Sequence, residues 1–359
     1  MTPGPGEDRA SGDRPGKVGD PRPHAIPLHR ADLTRQDALR LQEQLARQPF
    51  HDPESLQSWE GVWADAWERP AVAFADTFEV MRCLKALMGW RSGDAVAADV
   101  LLEPAWREAL GASWLHWATT DIDPVTARNK GAPLPPEGAP VRAWIGRHPF
   151  GLPSPPVSCP AGVMLLEEVS SLILPFPGSG WGEAQLLCLD GNRILQAGGT
   201  CLVLSRDERW IRELSIMRQH PPSAAASALG LSQWQGVKRL LELREALAHR
   251  YIGMRNQGEF SMPEAGGAGG RAWELFHLRM PSEESLRSLA AHLRVRHIAA
   301  ASPVWHAVPA FPPWPGLKAF LGHALALPFH ASLDLVLQKR VINRIHRWVE
   351  RRPRGPEGG

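Results

Sequence analysis

The residues of this chain that could do chemistry lie in and around a stretch without lysine. No lysine occurs from Gly131 to Val237, and within that stretch lies the string Cys188-Leu-Asp-Gly-Asn-Arg193. Arg193 offers a rigid fork of donors to a carboxylate or phosphate. It stays protonated, however, and cannot condense with a carbonyl as a neutral lysine amine can. Two further places carry charge next to apolar runs. Glu168 stands at the end of a strand-like run and is followed by Ser171. Asp76-Thr77 opens a helical segment, where an aspartate can cap the first N–H groups or leave them free for an anion. No Gly-x-Ser-x-Gly elbow, HExxH helix or Walker loop is present, so no hydrolase, zinc-protease or P-loop chemistry is signalled.

The four cysteines (Cys83, Cys159, Cys188, Cys201) form no C-x-x-C pair and sit in or near apolar runs, which predicts reduced thiols. A formal net charge of +2 gives no reason to expect nucleic acid or an anionic membrane as partner. No window is apolar for long enough to span a bilayer, and the polar N-terminus lacks an apolar leader core, so a cytoplasmic location is expected. At 359 residues the chain can build one large and one small domain.

These residues need elements to position them, and hydrophobic spacing supplies the outline. Residues 1–25 are predicted to be a disordered tail, and 352–359 a second one. Helices are predicted over Asp32–Ala46, Pro53–Trp67 (with Leu56, Trp59, Trp63 and Trp67 on one face), Thr77–Met88, Ala105–Leu110 and Glu208–Arg218. A long helix over Ser232–Met254, then Glu283–Arg294 and Leu333–Arg351, complete the set. Strand-like runs lie at Trp114–Thr119, Val141–Ile145, Gly162–Leu166, Ala184–Leu189, Thr200–Ser205 and Ala272–Arg279. Asn129–Pro140 and the glycine-rich Glu264–Arg271 are expected to be loops. Short strands alternating with helices indicate an α/β domain with a mainly parallel sheet, over 26–250, and a small α+β domain over 251–351.

In this frame a series of short motifs falls in a familiar order. Ile26-Pro-Leu-His-Arg30, Gly89-Trp-Arg-Ser-Gly-Asp94, Asp121-Ile-Asp-Pro124 and Ile216-Met-Arg-Gln-His220 are followed by Leu229-Gly-Leu-Ser-Gln-Trp234 and Ala326-Leu-Pro-Phe-His330. They resemble, in sequence, the "IPL-x-RP", "G-x-x-x-GDEV", "VDID", "LRNHG", "LG-x-x-QL" and "LPLH" motifs of the DegT/DnrJ/StrS family of sugar aminotransferases. The resemblance covers about Ile26 to Val349. It implies the fold-type-I architecture of pyridoxal-phosphate (PLP) enzymes: a three-layer α/β/α domain with a mainly parallel sheet, plus the small C-terminal α+β domain. It also implies PLP as cofactor, a dimer with shared active sites, and a setting in nucleotide-sugar or polysaccharide biosynthesis.

Carried over residue by residue, the resemblance predicts a damaged site. Cys188-Leu-Asp-Gly-Asn-Arg193 matches the family's "SFNGNK" without a gap, which places Arg193 on the Schiff-base lysine, Asn192 before it and Cys188 on a phosphate-contacting serine. Glu168 falls on the aspartate of "EDAAQ" that pairs with the pyridinium nitrogen, and Ser171 on the glutamine. Asp76 and Thr77 fall in the phosphate cup "SGTAAL", where a second negative charge about 4 Å from a phosphate costs about 4 kcal/mol at an effective dielectric near 20. The ring-stacking aromatic has no counterpart in Ala97–Glu103.

The expectation is a degenerate transaminase that holds PLP non-covalently or not at all. Such a protein would act as a homodimer, as a heterodimer with an active relative, or as a binder of a nucleotide-linked sugar. Two alternatives stay open. One is an active enzyme using a displaced lysine, with Lys130 as the candidate over Lys85, Lys238, Lys318 and Lys339. The other is cofactor-free chemistry with His220, His306 or His330 as base. Arg193 itself is either salt-bridged to Glu168 or Asp190, or an anion receptor in the former phosphate pocket.

Overall fold

The computed structural model describes residues 25–47, 52–134, 138–156, 158–191, 193–254, 258–266, 270–306, 308 and 313–352. The two predicted tails (residue 25 and Arg352 apart), Asn192 and the middle of the glycine-rich loop lie outside these residues. In chain order the elements are α1 (Arg35–Arg47), α2 (Pro53–Trp67), β1 (Ala71–Phe74), α3 (Thr77–Leu87), β2 (Ala95–Asp99), α4 (Pro104–Ala112), β3 (His116–Ile122) and β4 (Asn129–Leu134). Next come β5 (Val141–Arg147), β6 (Met164–Glu168), β7 (Ala184–Leu189), β8 (Thr200–Ser205), α5 (Glu208–Met217), α6 (Ala224–Gln235) and α7 (Val237–Ile252). The C-terminal part holds β9 (Phe276–Arg279), α8 (Glu283–Arg294), α9 (Pro315–His323), β10 (Ala324–Leu327) and α10 (Leu335–Glu350).

Eight strands form one sheet in the order β1-β8-β7-β6-β5-β2-β3-β4. The central pairs β3–β2, β2–β5, β5–β6 and β6–β7 are parallel, while β1 and β8 at one side and β4 at the other pair antiparallel. Strands β2, β7 and β8 are buried at every position, the mark of a sheet covered on both faces. Alternate residues explain how. Val96, Ala98, Ile145, Leu186 and Val203 pack with residues of α3, α4 and α5, whereas Ala73, Leu187, Leu189, Leu202 and Leu204 pack with the tryptophan stripe of α2 and with α6 and α7. The three layers follow from that alternation. β9 and β10 pair antiparallel and build a second core with α8, α10 and Tyr251 of α7.

Three sequence expectations are corrected. Asn129–Leu134 is an edge strand and not loop, held by the register Ile122↔Asn129 and Asp121↔Lys130. The long helix over Ser232–Met254 is two helices, broken at Gly236, which caps α6 as α7 begins. The tryptophan- and proline-rich segment between the predicted helices Glu283–Arg294 and Leu333–Arg351, for which no regular element is predicted, contains α9 and β10. The α9 start has no capping side chain of its own. Asp121, from the motif at the end of β3, accepts from Gly316 N–H at 2.7 Å and Leu317 N–H at 3.0 Å in its place. A cap supplied from almost 200 residues away leaves no local signal.

The α2–α6 contact depends on one small residue. A Cβ on Gly230 would lie 2.6 Å from the Trp59 ring, which is fully buried. Gly230→Val should therefore lower stability by about 1–3 kcal/mol through overpacking, seen as a lower urea midpoint with an unchanged slope. An unaltered midpoint would contradict the packing described.

Candidate functional site: a buried arginine among carboxylates

The C-terminal ends of the parallel strands deliver the candidate residues to one place. β6 ends at Glu168, with Ser171 just beyond; the β7–β8 connection carries Arg193; and the turn after β2 brings Glu103 to the start of α4. Glu274 arrives from the segment ahead of β9, which is stitched to the 3-10 turn at Pro149–Gly151 by backbone bonds Ala272 N–H to Gly151 O (3.0 Å) and Glu274 N–H to Phe150 O (3.3 Å).

Arg193 is the centre of this group, its side chain only 2% exposed. Its Nη1 donates to Glu274 Oε1 at 2.9 Å and to Ser171 Oγ at 3.1 Å, and Ser171 Oγ in turn donates to Glu274 Oε2 at 2.8 Å. Its Nη2 lies 3.3 Å from Glu103 Oε1 and 3.7 Å from Glu168 Oε1, in ion-pair range of both though off good hydrogen-bond geometry. Burial alone works against the guanidinium charge, but Glu103, Glu274 and Glu168 outweigh it and hold Arg193 more firmly protonated than usual.

The carboxylates divide the charge unequally. Burial would raise Glu274, but Arg193 and Ser171 prevail and hold it below the ordinary carboxylate range. Glu103 goes the other way: burial exceeds the pull of Arg193 and Arg147, and its carboxyl titrates above the usual range. Beside them Arg147, at the end of β5, meets both oxygens of Asp99 through Nε at 3.1 and 3.0 Å, again buried. The space left among Leu101, Glu103, Arg147, Phe150, Ser171 and Glu274 is about 20 Å³, room for about one water.

The other predicted positions are also engaged. Asp76 is the N-cap of α3, its carboxylate accepting from Glu79 N–H at 2.9 Å, and Thr77 is buried with Oγ1 donating to Ala105 O at 2.9 Å. Cys188 is buried on β7 opposite Cys201 of β8, its N–H donating to Ser170 Oγ at 2.7 Å. All four cysteines are free thiols. Glu168 also accepts from Ser170 N–H at 3.2 Å. The structure thus brings Arg193, Glu168 and Ser171 together, while Asp76, Thr77 and Cys188 serve their own elements.

No described lysine joins the cluster. Lys85 Nζ donates to Ser92 Oγ and Ser113 O, and Lys130, Lys238, Lys318 and Lys339 are exposed. Of the candidate histidines, His220 is an exposed side chain beside Glu79, His306 lines the rim of the residual cavity, and His330 is buried, its pKa lowered by that burial, with Nδ1 against Ser332 Oγ. Sequence reasoning missed Glu103, Glu274 and the Arg147–Asp99 pair. Glu274 had a readable signal: it is the one carboxylate in the apolar run Ala272–Leu278, and a lone carboxylate in such a run calls for a buried partner.

Backbone strain collects around the same cleft. Phe150, Ile173 and Trp273 all have positive φ, at 56°, 65° and 53°. A β-branched residue such as Ile173 reaches that region only where surrounding contacts impose it. Its carbonyl accepts from Trp67 Nε1 at 3.2 Å.

No family model matches the chain, and no curated protein matches it. Solved structures do. The aminotransferase TlmJ from Streptoalloteichus hindustanus superposes with a TM-score of 0.77 at 17% identity, covering 90% of this chain and 99% of its own. PseC of Helicobacter pylori, an aminotransferase of pseudoaminic acid biosynthesis, gives 0.77 at 14%, covering 91% and 100%. A DegT/DnrJ/EryC1/StrS aminotransferase from Brucella abortus gives 0.70 at 14%, covering 87% and 95%. The fold is that of the sugar aminotransferases, a fold-type-I α/β/α domain with a small C-terminal domain. Structures with this fold have been solved with PMP bound, in Bacillus subtilis NtdA, and in a PLP form, in Streptococcus pneumoniae Spr1654.

The cluster predicts an unusual pH response. Glu274, with a depressed pKa, adds stability above the usual carboxylate range and loses it as pH falls through its lowered value. In Arg193→Ala the buried acids lose their cation and move up, so their ionisation is lost stability that grows as pH rises. The variant should be about 3–5 kcal/mol less stable than the parent near neutral pH, and the deficit should shrink at pH about 5. Urea unfolding at both pH values reads this out; a pH-independent deficit would contradict it.

Proposed function

We propose that this chain is a degenerate sugar-aminotransferase-like protein that does not carry out PLP-dependent transamination and acts instead as a partner or regulatory subunit. The observation that carries this reading is the Arg193 cluster. At the position that the resemblance gives to the cofactor lysine stands a guanidinium tied to Glu274, Glu103, Glu168 and Ser171, and the remaining space is about 20 Å³. Small-molecule sites have volumes of about 300–1,000 Å³. The residues present do not fit PLP: the phosphate cup is headed by an aspartate capping its own helix, and no neutral amine is near. The same lack of space weighs against a nucleotide-linked sugar in the old cleft.

Support for a partner role comes from the surface beside α3. Trp114, 76% exposed, and Phe78, 43% exposed, flank a groove lined by Arg82, Lys85 and His220. Apolar side chains left in solvent beside a charged rim are what protein interfaces cover. The partner would be a second copy or an active relative. Among the described residues no helix is long and apolar enough to cross a membrane, and a cytoplasmic setting fits this role.

Purified protein titrated with PLP should show no visible imine band, no borohydride-fixed adduct on any lysine and no amino transfer from glutamate to a keto-sugar. Arg193→Lys should behave the same, because the space and the cup are still missing. A lysine adduct in the parent protein, with turnover lost in Lys130→Ala, would establish the displaced-lysine enzyme instead. Mixing with an intact sugar aminotransferase of the same organism should alter that enzyme's mass in sedimentation and its rate.

A further inference from the structure

Beside the closed cleft lies an open cavity of about 300 Å³, lined by Arg128, Asn129, Trp144, Arg147, Ser154 and Trp181, among others. Its origin is topological. β5 to β6 and β6 to β7 are parallel neighbours, and such crossovers are usually made by an α-helix that covers the sheet. Among the described residues of 148–163 and 169–183 there is no α-helix, only the 3-10 turn at Pro149–Gly151 and proline- and glycine-rich chain. At the end of β5 an indole covers the sheet. Trp181 lies on Gly146, where a Cβ would fall 2.3 Å from the ring, and is held by Nε1 donating to Ser154 O at 3.1 Å.

The chemistry of the walls is one-sided. Three buried nitrogens without a hydrogen-bond partner belong to lining residues: Trp144 Nε1, Arg147 Nη2 and Arg128 Nε. Trp144 is 3% exposed and the Arg147 side chain 7%, so each is an orphan donor well out of bulk water. Among the described residues, none that lines the cavity is acidic. Asp99 occupies Nε of Arg147, whose charge Glu103 and Glu168 also face, and Glu264 lies 3.4 Å from Nη2 of Arg128, which also donates to Pro153 O. Unspent donors and two guanidinium groups ask for an anion. Two indoles, with Pro155 and Pro156 at the rim, ask for a flat apolar body. The volume stands at the low end of ligand pockets, enough for one ring and too small for a nucleotide-linked sugar.

We propose that this cavity binds a small aromatic carboxylate, its carboxylate at Arg128 and Arg147 and its ring between Trp144 and Trp181. The site adjoins the old cofactor cleft through Arg147, which lines both, and does not depend on whether that cleft is catalytic. Benzoate is the probe, titrated calorimetrically into the full chain. One-site saturable binding is expected, weakened about tenfold or more in Arg128→Gln and abolished in Ser158→Trp, which plugs the mouth from an exposed position. Neutral benzamide and inorganic phosphate should bind far more weakly than benzoate. No saturable benzoate binding, an unchanged affinity in either variant, or benzamide or phosphate equal to benzoate would overturn the proposal. Melting curves of both variants, expected to match the parent, keep the comparison clear of unfolding.

Discussion

A guanidinium cannot be taken out of water alone, and that constraint organises the centre of this molecule. Arg193 is held by acids from three separate parts of the chain: the end of β6, the start of α4 and the segment before β9. Glu168 and Glu274 are themselves buried and Glu103 largely so, and they need the cation as much as the cation needs them. The arrangement draws the C-terminal segment onto the large sheet and leaves almost no space between them. Glu103, whose carboxyl burial pushes up, takes up the imbalance between Arg193 and Arg147 on one side and Glu103, Glu168, Glu274 and Asp99 on the other.

The same neighbourhood in a working transaminase must be open, hold a phosphate and present an amine that can lose its proton. On the reading proposed above, the residues that the resemblance assigns to these tasks do structural work: Asp76 caps α3, and Arg193 is tied into ion pairs. Phe150, Ile173 and Trp273 hold strained backbone beside the Arg193 cluster.

Much of the fold was legible because its signals are local or periodic. The tryptophan stripe marked α2 to the residue, the apolar runs marked β7 and β8, and the spacing over Glu283–Arg294 marked α8. Elements set by distant partners were not legible. α9 takes its cap from Asp121, and β4 exists because β3 offers it an edge. At the site, the position of Arg193 could be read from the string around it, and Glu168 was named as a partner. Glu103 and Glu274 could not be paired with it, since only the fold brings residues 103, 168, 193 and 274 together. The cavity under Trp181 was equally hidden: what marks it is a helix that the crossover lacks, and an absence leaves little trace in composition.

The central claim is that Arg193 and its acids form one buried charge unit that fills the cleft. A double-mutant cycle between Arg193→Met and Glu274→Leu, read by urea unfolding, tests it most directly. Each single change should be strongly destabilising because it strands the opposite charge, whereas the pair of changes should recover much of the loss, giving a coupling of about 1–3 kcal/mol. Additive effects, with no coupling between the two positions, would contradict the account.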